Sequence, residues 1–179
     1  MKIVIATPLY PPDTAPSAAY AKELAHRLAQ SHEVSVIAYG RLPEELEGVS
    51  IVPVSKRYPI AIRLPLFSLA LLWRALFADA IVAHNGASVE LPASMVAKLT
   101  GRPLIFLVSD EAAHTWASKH KRRRGIEERT AKQARKVIST FPPARPEILP
   151  YAPYPTQEME AYERAWTEHL IGIESAISA

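Results

Sequence analysis

Hydrophobic positions along the chain alternate between short β-branched runs and longer stretches at helical spacing. Lys2 to Ala6 is an apolar run without polar alternation, the pattern of a strand covered on both faces. Thr7 to Ser17 follows, where Pro8, Pro11, Pro12 and Pro16 exclude strand and helix interior and predict a loop. Ala21, Leu24, Ala25 and Leu28 then predict a helix over Ala18–Gln30 with Ser17 as its N-cap, leading into a buried strand at Val34–Ala38. Val49–Val54, Asp79–Ala83, Pro103–Val108 and Lys136–Thr140 read as further strands. Helices are expected at Pro65–Phe77, Ser88–Leu99 and Trp116–Arg135. After Tyr154-Pro155, an apolar stripe of Met159, Tyr162, Trp166, Leu170, Ile173 and Ile177 predicts a last helix capped by Thr156.

Strands alternating with helices define an α/β fold, a single Rossmann-like three-layer domain with a mainly parallel sheet of about six or seven strands. The domain occupies residues 1–154, and residues 155–179 form an amphipathic helix that packs back on the sheet or pairs with another chain. Right-handed crossovers place ligands of such a sheet beyond the carboxyl ends of its strands. The loop after the first strand is therefore the first place to look for function.

The helix at Pro65–Phe77 is apolar but too short, and too interrupted by Arg63, Pro65 and Arg74, to span a bilayer. The expectation is a core-facing helix with Leu66, Leu69, Leu72, Trp73 and Leu76 among its buried residues. A helix lying on an anionic membrane surface is the alternative.

Composition sharpens this picture at two points. The chain has no cysteine, which excludes disulfides, thiolate chemistry and cysteine-based metal sites and suits a reducing cytoplasm. It opens on a strand, without the charged and then apolar start of a signal peptide. A cytoplasmic protein, with contact at the inner face of the membrane as the extension, is the expectation. The net charge of +3 hides an asymmetry. Nine Lys/Arg and two Glu lie between Lys119 and Lys136, while the rest carries twelve Lys/Arg against sixteen Asp/Glu. Lys119, Lys121, Arg122, Arg123 and Arg124 thus form a local basic patch suited to a phosphate group, an anionic membrane or an acidic partner. Without aromatic interleaving beyond Trp116, the patch argues against nucleic acid.

Several segments carry a family resemblance. Tyr10-Pro11-Pro12, then Tyr20, Lys22, Glu23 and Leu24, then His32-Glu33-Val34-Ser35-Val36 resemble the opening of GT-B glycosyltransferases of family 4. The strand ending in His84-Asn85-Gly86, the Ser109-Asp110 pair and Ala134-Arg135-Lys136-Val137-Ile138-Ser139 continue the resemblance in order. Ala15-Pro16-Ser17 stands where the family has a glycine pair that lets backbone amides approach the donor diphosphate, and Pro16 has no amide to donate. Ser109 stands where the family often has His or Gly before the Asp.

The resemblance implies the acceptor-side half of a glycosyltransferase, since a second Rossmann-like domain for the sugar nucleotide does not follow in these residues. It implies a UDP- or GDP-sugar co-substrate, no metal, and a carbohydrate or lipid-linked acceptor, with a separate donor-binding chain as partner. A non-catalytic, homodimeric binding or scaffolding domain derived from such a half is the alternative. Asp110 is the candidate catalytic carboxylate, orienting an acceptor hydroxyl or acting as its base; equally, it caps the helix that follows. Tyr10, Ser17, His84, Asn85, Ser109, Glu111 and His114 are candidate acceptor- or ligand-binding residues. For His84 a structural role stands beside the site role, Asn85-Gly86 is equally a turn, and His114 is equally an exposed helical residue.

Overall fold

In a computed structural model that describes residues 1–40, 42–139 and 159–179, the chain forms three layers around a parallel sheet. The elements in order are β1 (Lys2–Thr7), α1 (Pro16–Ala29), β2 (Glu33–Tyr39), β3 (Val49–Val54), α2 (Ile60–Ala75), β4 (Ala80–His84), α3 (Ala87–Thr100), β5 (Leu104–Val108), α4 (Glu111–Lys119), α5 (Lys121–Gln133), β6 (Lys136–Ser139) and α6 (Met159–Ser178). Among the described residues the sheet has six strands in the order β3-β2-β1-β4-β5-β6, every neighbouring pair parallel. This is the expected Rossmann-like architecture. The order reverses between β1 and β4, and ligands of such sheets bind beyond the carboxyl ends of the strands at that switch.

The central strands are buried on both faces, which explains their unbroken apolar runs. On one face α1 and α6 cover Ile3, Ile5, Val34, Val36, Val82 and Ile105. On the other, α2 and α3 cover Val4, Ala6, Ile37, Ile81 and Ala83. The last helix packs back on the domain as expected. Arg27 of α1 holds Glu163 through two guanidinium bonds of 2.7 Å each and lies 5.0 Å over the Trp166 ring. Arg135 Nη1 donates to the carbonyls of Ala176 and Ile177, two of the acceptors that a helix end leaves without intrahelical partners.

Four expectations need correction. Ala15, not Ser17, is the N-cap of α1; Pro16 occupies the first turn, where a missing N–H costs nothing, and Ser17 lies inside the helix. The expected helix over Trp116–Arg135 is two helices, parted at His120 (φ −123°, ψ 105°). One continuous helix would stack Lys119 under Arg122 and Arg123 at repulsive spacing, and the break turns α5 onto α3, where Gln133 bonds Ser94. α2 begins five residues early, and Pro65 sits within it.

The fourth correction concerns the face that α2 buries. Phe67, Leu71 and Ala75 face the core, while Leu66, Leu69, Trp73 and Leu76 point outward and Leu72 is half-buried. The helix is apolar all round, so periodicity could not choose a side. Phe67 decides it by stacking on Tyr39 at 4.6 Å, and small Ala75 lets the helix approach. The predicted cap Thr156 lies outside the described residues, as does Thr140 at the end of the sixth strand.

Candidate functional site

The switch between β1 and β4 gathers most of the candidate residues. β4 delivers His84 and Asn85, β5 delivers Ser109 and Asp110, and the first turn of α1 delivers Ser17. Gly86 adopts a φ of 135°, reserved for glycine, and a Cβ there would lie 3.1 Å from Pro8 Cγ. The turn after β4 is thus pressed against the loop after β1.

Asn85 is wholly buried and clamps the two strand ends together. Its Oδ1 accepts from the backbone N–H groups of Ser109 (2.9 Å) and Asp110 (2.8 Å), and its Nδ2 donates to the Asp110 carbonyl (2.7 Å). Asp110 is half-buried, and its carboxylate divides two tasks. Oδ1 caps α4 by accepting from Ala113 N at 2.8 Å, and Oδ2 accepts from the Ser17 hydroxyl at 3.1 Å. The cap reading of Asp110 is therefore seen directly, while Oδ2 is held by a single hydroxyl that a competing one can replace.

His84 lies beneath this surface, 1% exposed. Its Nδ1 shares a 2.8 Å hydrogen bond with Ser109 Oγ, and its Nε2 has no partner among the described residues. Burial, with the neighbouring His169 adding, lowers its pKa to about 3, so the ring is neutral. Tyr10 is also buried, at the start of the loop after β1. Burial and the charge of Glu44 push its hydroxyl up to about 12. His84 is not presented at the surface, while Tyr10 borders a hollow of about 370 Å³ shared with Pro11, Asp13 and Lys56.

Beside Asp110 opens a cavity of about 470 Å³. Its walls combine Ile60, Leu91 and Ile126 with the Trp116 ring and three guanidinium groups, Arg63, Arg122 and Arg123. Arg123 stacks 3.6 Å above the Trp116 ring. Gly86 and Ala113, next to Asn85 and bonded to Asp110 respectively, form the side nearest the strand ends. The basic run is thereby split: Arg122 and Arg123 line the cavity, while Lys119, Lys121 and Arg124 lie exposed, Arg124 within 3.8 Å of Glu128. Glu111 is exposed in the first turn of α4. His114 meets Glu127 at 2.6 Å and ties α4 to α5.

Most residues of this cavity were not among the candidates, Glu90, Arg63 and Gly86 among them. Glu90 is buried in the first turns of α3, where Oε1 accepts from Gly86 N at 2.7 Å. Burial raises its carboxyl to about 7; the Gly86 N–H opposes this, Glu127 adds to it, and Arg123 and His114 oppose it. A lone carboxylate inside the apolar stretch Ala87–Val96 was the available signal. Arg63 and Gly86 carried weaker ones, a cation inside an apolar helix and an Asn-Gly turn. Another hollow, of about 630 Å³, lies at the amino end of β5 beside Lys98, Arg102 and Arg135, away from the strand ends that position ligands. No cluster of three or more His, Asp and Glu side chains suited to a metal occurs among the described residues.

Solved structures with this fold include HepE from Anabaena in complex with UDP, at TM-score 0.56 and 15% identity, the match covering 93% of this chain and 41% of that one. UDP-GlcNAc 2-epimerase from Methanocaldococcus jannaschii matches at TM-score 0.52 and 11% identity, covering 94% of this chain and 43% of its own. An α-glucosyltransferase solved with UDP matches at TM-score 0.50 and 14% identity, covering 78% and 35%. The chain thus spans well under half the length of these three structures. No curated protein sequence matches it significantly. Fold and strand-end site together define a Rossmann-like domain equivalent to one half of a GT-B glycosyltransferase. The sequence profile of Glycosyltransferase Family 4 matches residues 17–160, and the chain belongs to that family.

Proposed function

We propose that this chain is the acceptor-side half of a glycosyltransferase, moving a sugar from a UDP- or GDP-sugar to a carbohydrate or lipid-linked acceptor together with a separate donor-binding chain. One observation carries the reading: a cavity at the carboxyl ends of the strands that joins three arginines and an indole to an apolar wall, beside the Asp110 carboxylate. Guanidinium groups hold phosphate or carboxylate with directed hydrogen bonds, and the indole and aliphatic walls suit a sugar face or a hydrocarbon. UDP in the HepE and α-glucosyltransferase structures supports a nucleotide-sugar donor. The acceptor hydroxyl replaces Ser17 at Asp110 Oδ2 and attacks the anomeric carbon, the carbon–oxygen bond to the nucleoside diphosphate breaks, and the hydroxyl proton leaves through the carboxylate.

A second reading has its own support. Asn85, Ser109 and His84 are all engaged in bonds that hold β4 and β5 together, as a non-catalytic, homodimeric scaffold would need. Asp110→Asn separates the two. The amide oxygen still caps α4, so stability changes by about 1 kcal/mol or less, while the carboxylate is lost. Sugar transfer from labelled UDP- and GDP-sugars, assayed on the complex purified from its native source, should fall at least a hundredfold. Unchanged transfer overturns the role of Asp110; no transfer by the wild-type complex, with a stable dimer of this chain alone, favours the scaffold.

A further inference from the structure

Among the described residues, α2 turns a row of large apolar side chains outward. Ile62, Leu66, Leu69, Trp73, Leu76 and Phe77 recur at helical steps of three and four, and each is between 41% and 65% exposed. Together they form an apolar stripe about 20 Å long at 1.5 Å per residue. A helix on the surface of a water-soluble domain normally turns a polar face to solvent. This one turns Phe67, Leu71 and Ala75 to the core and a second apolar face outward. The described helices include none long and apolar enough to cross a membrane, so the stripe is not part of a span.

Charge identifies what covers it. Residues 48–78 hold four Lys/Arg and no Asp or Glu. Arg57 precedes the helix beside Lys56, which is paired with Asp13 at 2.6 Å, Arg74 reaches sideways to Ser50 Oγ at 3.0 Å, and Arg102 donates to the Leu76 carbonyl at the far end. The stripe is therefore flanked by Arg57, Arg74 and Arg102. A second copy docked by twofold symmetry would bring these cations against their own equivalents without a carboxylate of the segment to pair them. An anionic lipid surface pairs them with headgroup phosphates and takes the apolar residues into the acyl boundary. Trp73 and Phe77, packed edge to face at 5.8 Å, belong to the residue types that settle at that depth.

We infer that the outward face of α2 docks on the surface of a bilayer rich in anionic phospholipid. The inference stands apart from the transferase reading, because it rests on α2 and the cations that flank it. It also has a consequence for that reading: Ile60, Arg63 and Leu64 of the same helix line the cavity beside Asp110, so docking would bring the cavity to headgroup level.

Vesicle co-sedimentation of the full chain tests it, with vesicles of phosphatidylcholine alone and with one third phosphatidylglycerol. Binding should require the anionic lipid, fall severalfold in 0.5 M salt, and fall at least tenfold in the double variant Leu69→Ser/Trp73→Ser. Both residues are exposed, so the variant should fold as judged by circular dichroism, and its solubility should rise. Trp73 emission should shift to the blue on binding, a change missing from Trp73→Ser. Absence of binding to anionic vesicles overturns the inference, as does equal, salt-insensitive binding to both compositions. A concentration-dependent dimer that the same double variant dissolves would assign the face to a second copy instead and overturn it as well.

Discussion

Glu90 offers a quantitative test of the cavity's electrostatics. Its carboxyl titrates at about 7 in the folded chain against an ordinary 4.5. Below pH 4.5 the group is protonated in both states and has no effect on stability. Between 4.5 and 7 the unfolded chain releases the proton while the folded chain keeps it, so stability falls by about 1.4 kcal/mol per pH unit. Above 7 the loss is complete and amounts to about 3 kcal/mol. Glu90→Gln keeps an oxygen for the Gly86 N–H and removes the titration. The variant should match the wild type near pH 4.5 and exceed it at pH 8 by about 3 kcal/mol, a Tm gain of roughly 6–12 °C for a chain of this size. Thermal melts of both proteins across this range isolate the effect, because the two differ only at this carboxyl. A Tm difference that stays constant from pH 4.5 to 8 would refute the buried, proton-binding Glu90. The charge should also reach the ligand: an anionic group among Arg63, Arg122 and Arg123 should bind more weakly above pH 7 in the wild type and not in the variant.

Two structural substitutions test the frame around the site. Trp166→Ala removes a side chain 1% exposed that stacks on Tyr20 at 5.6 Å; it should cost about 3–5 kcal/mol, seen as a lower urea midpoint at unchanged slope. Asn85→Ala strips the Ser109 and Asp110 amides of their acceptor and should cost about 3 kcal/mol, with hydrogen-exchange protection lost first at those two amides.

What the sequence could reveal depended on whether a feature is local. The strands were legible because doubly buried parallel strands leave continuous apolar runs, and Lys2–Ala6 or Leu104–Val108 admit no other reading. The docked face of α6 was legible because its stripe is amphipathic: Trp166, Ile173 and Ile177 are buried as expected, with Tyr162 and Leu170 packed beside them. α2 failed the same test because a helix apolar on every side carries no phase. The position of Asp110 at a strand end was visible, and so was its competence as a cap. Its bond to Ser17 was not, since 93 residues separate them and only the sheet order brings them together. Glu90 was missed for a related reason: its raised pKa comes first from burial, which only the assembled fold produces, with Glu127 of α5 adding and Arg123 and His114 opposing from far along the chain.

The last helix has a closer relation to the site than its place in the sequence suggests. His84 packs its ring 5.4 Å from Tyr20, whose hydroxyl bonds His169 of α6 and whose ring stacks on Trp166 of the same helix. The strand end that meets Ser109 is thus braced from behind by residues 166 and 169. The same packing fixes the chemistry of His84. Protonating it would place a cation in an apolar layer beside a second imidazole, which is why its pKa falls to about 3 and why it cannot serve as a proton donor at neutral pH. Its contribution is to orient Ser109 through Nδ1, and with Asn85 to hold the turn from which Asp110 projects. In the proposed reaction, proton transfer therefore falls to carboxylates: Asp110, whose Oδ1 caps α4 at the cavity residue Ala113 and whose Oδ2 is held by Ser17, with Glu90 setting the charge of the cavity wall. Loosening α6 should then impair Asp110 without touching it, through the His84 ring.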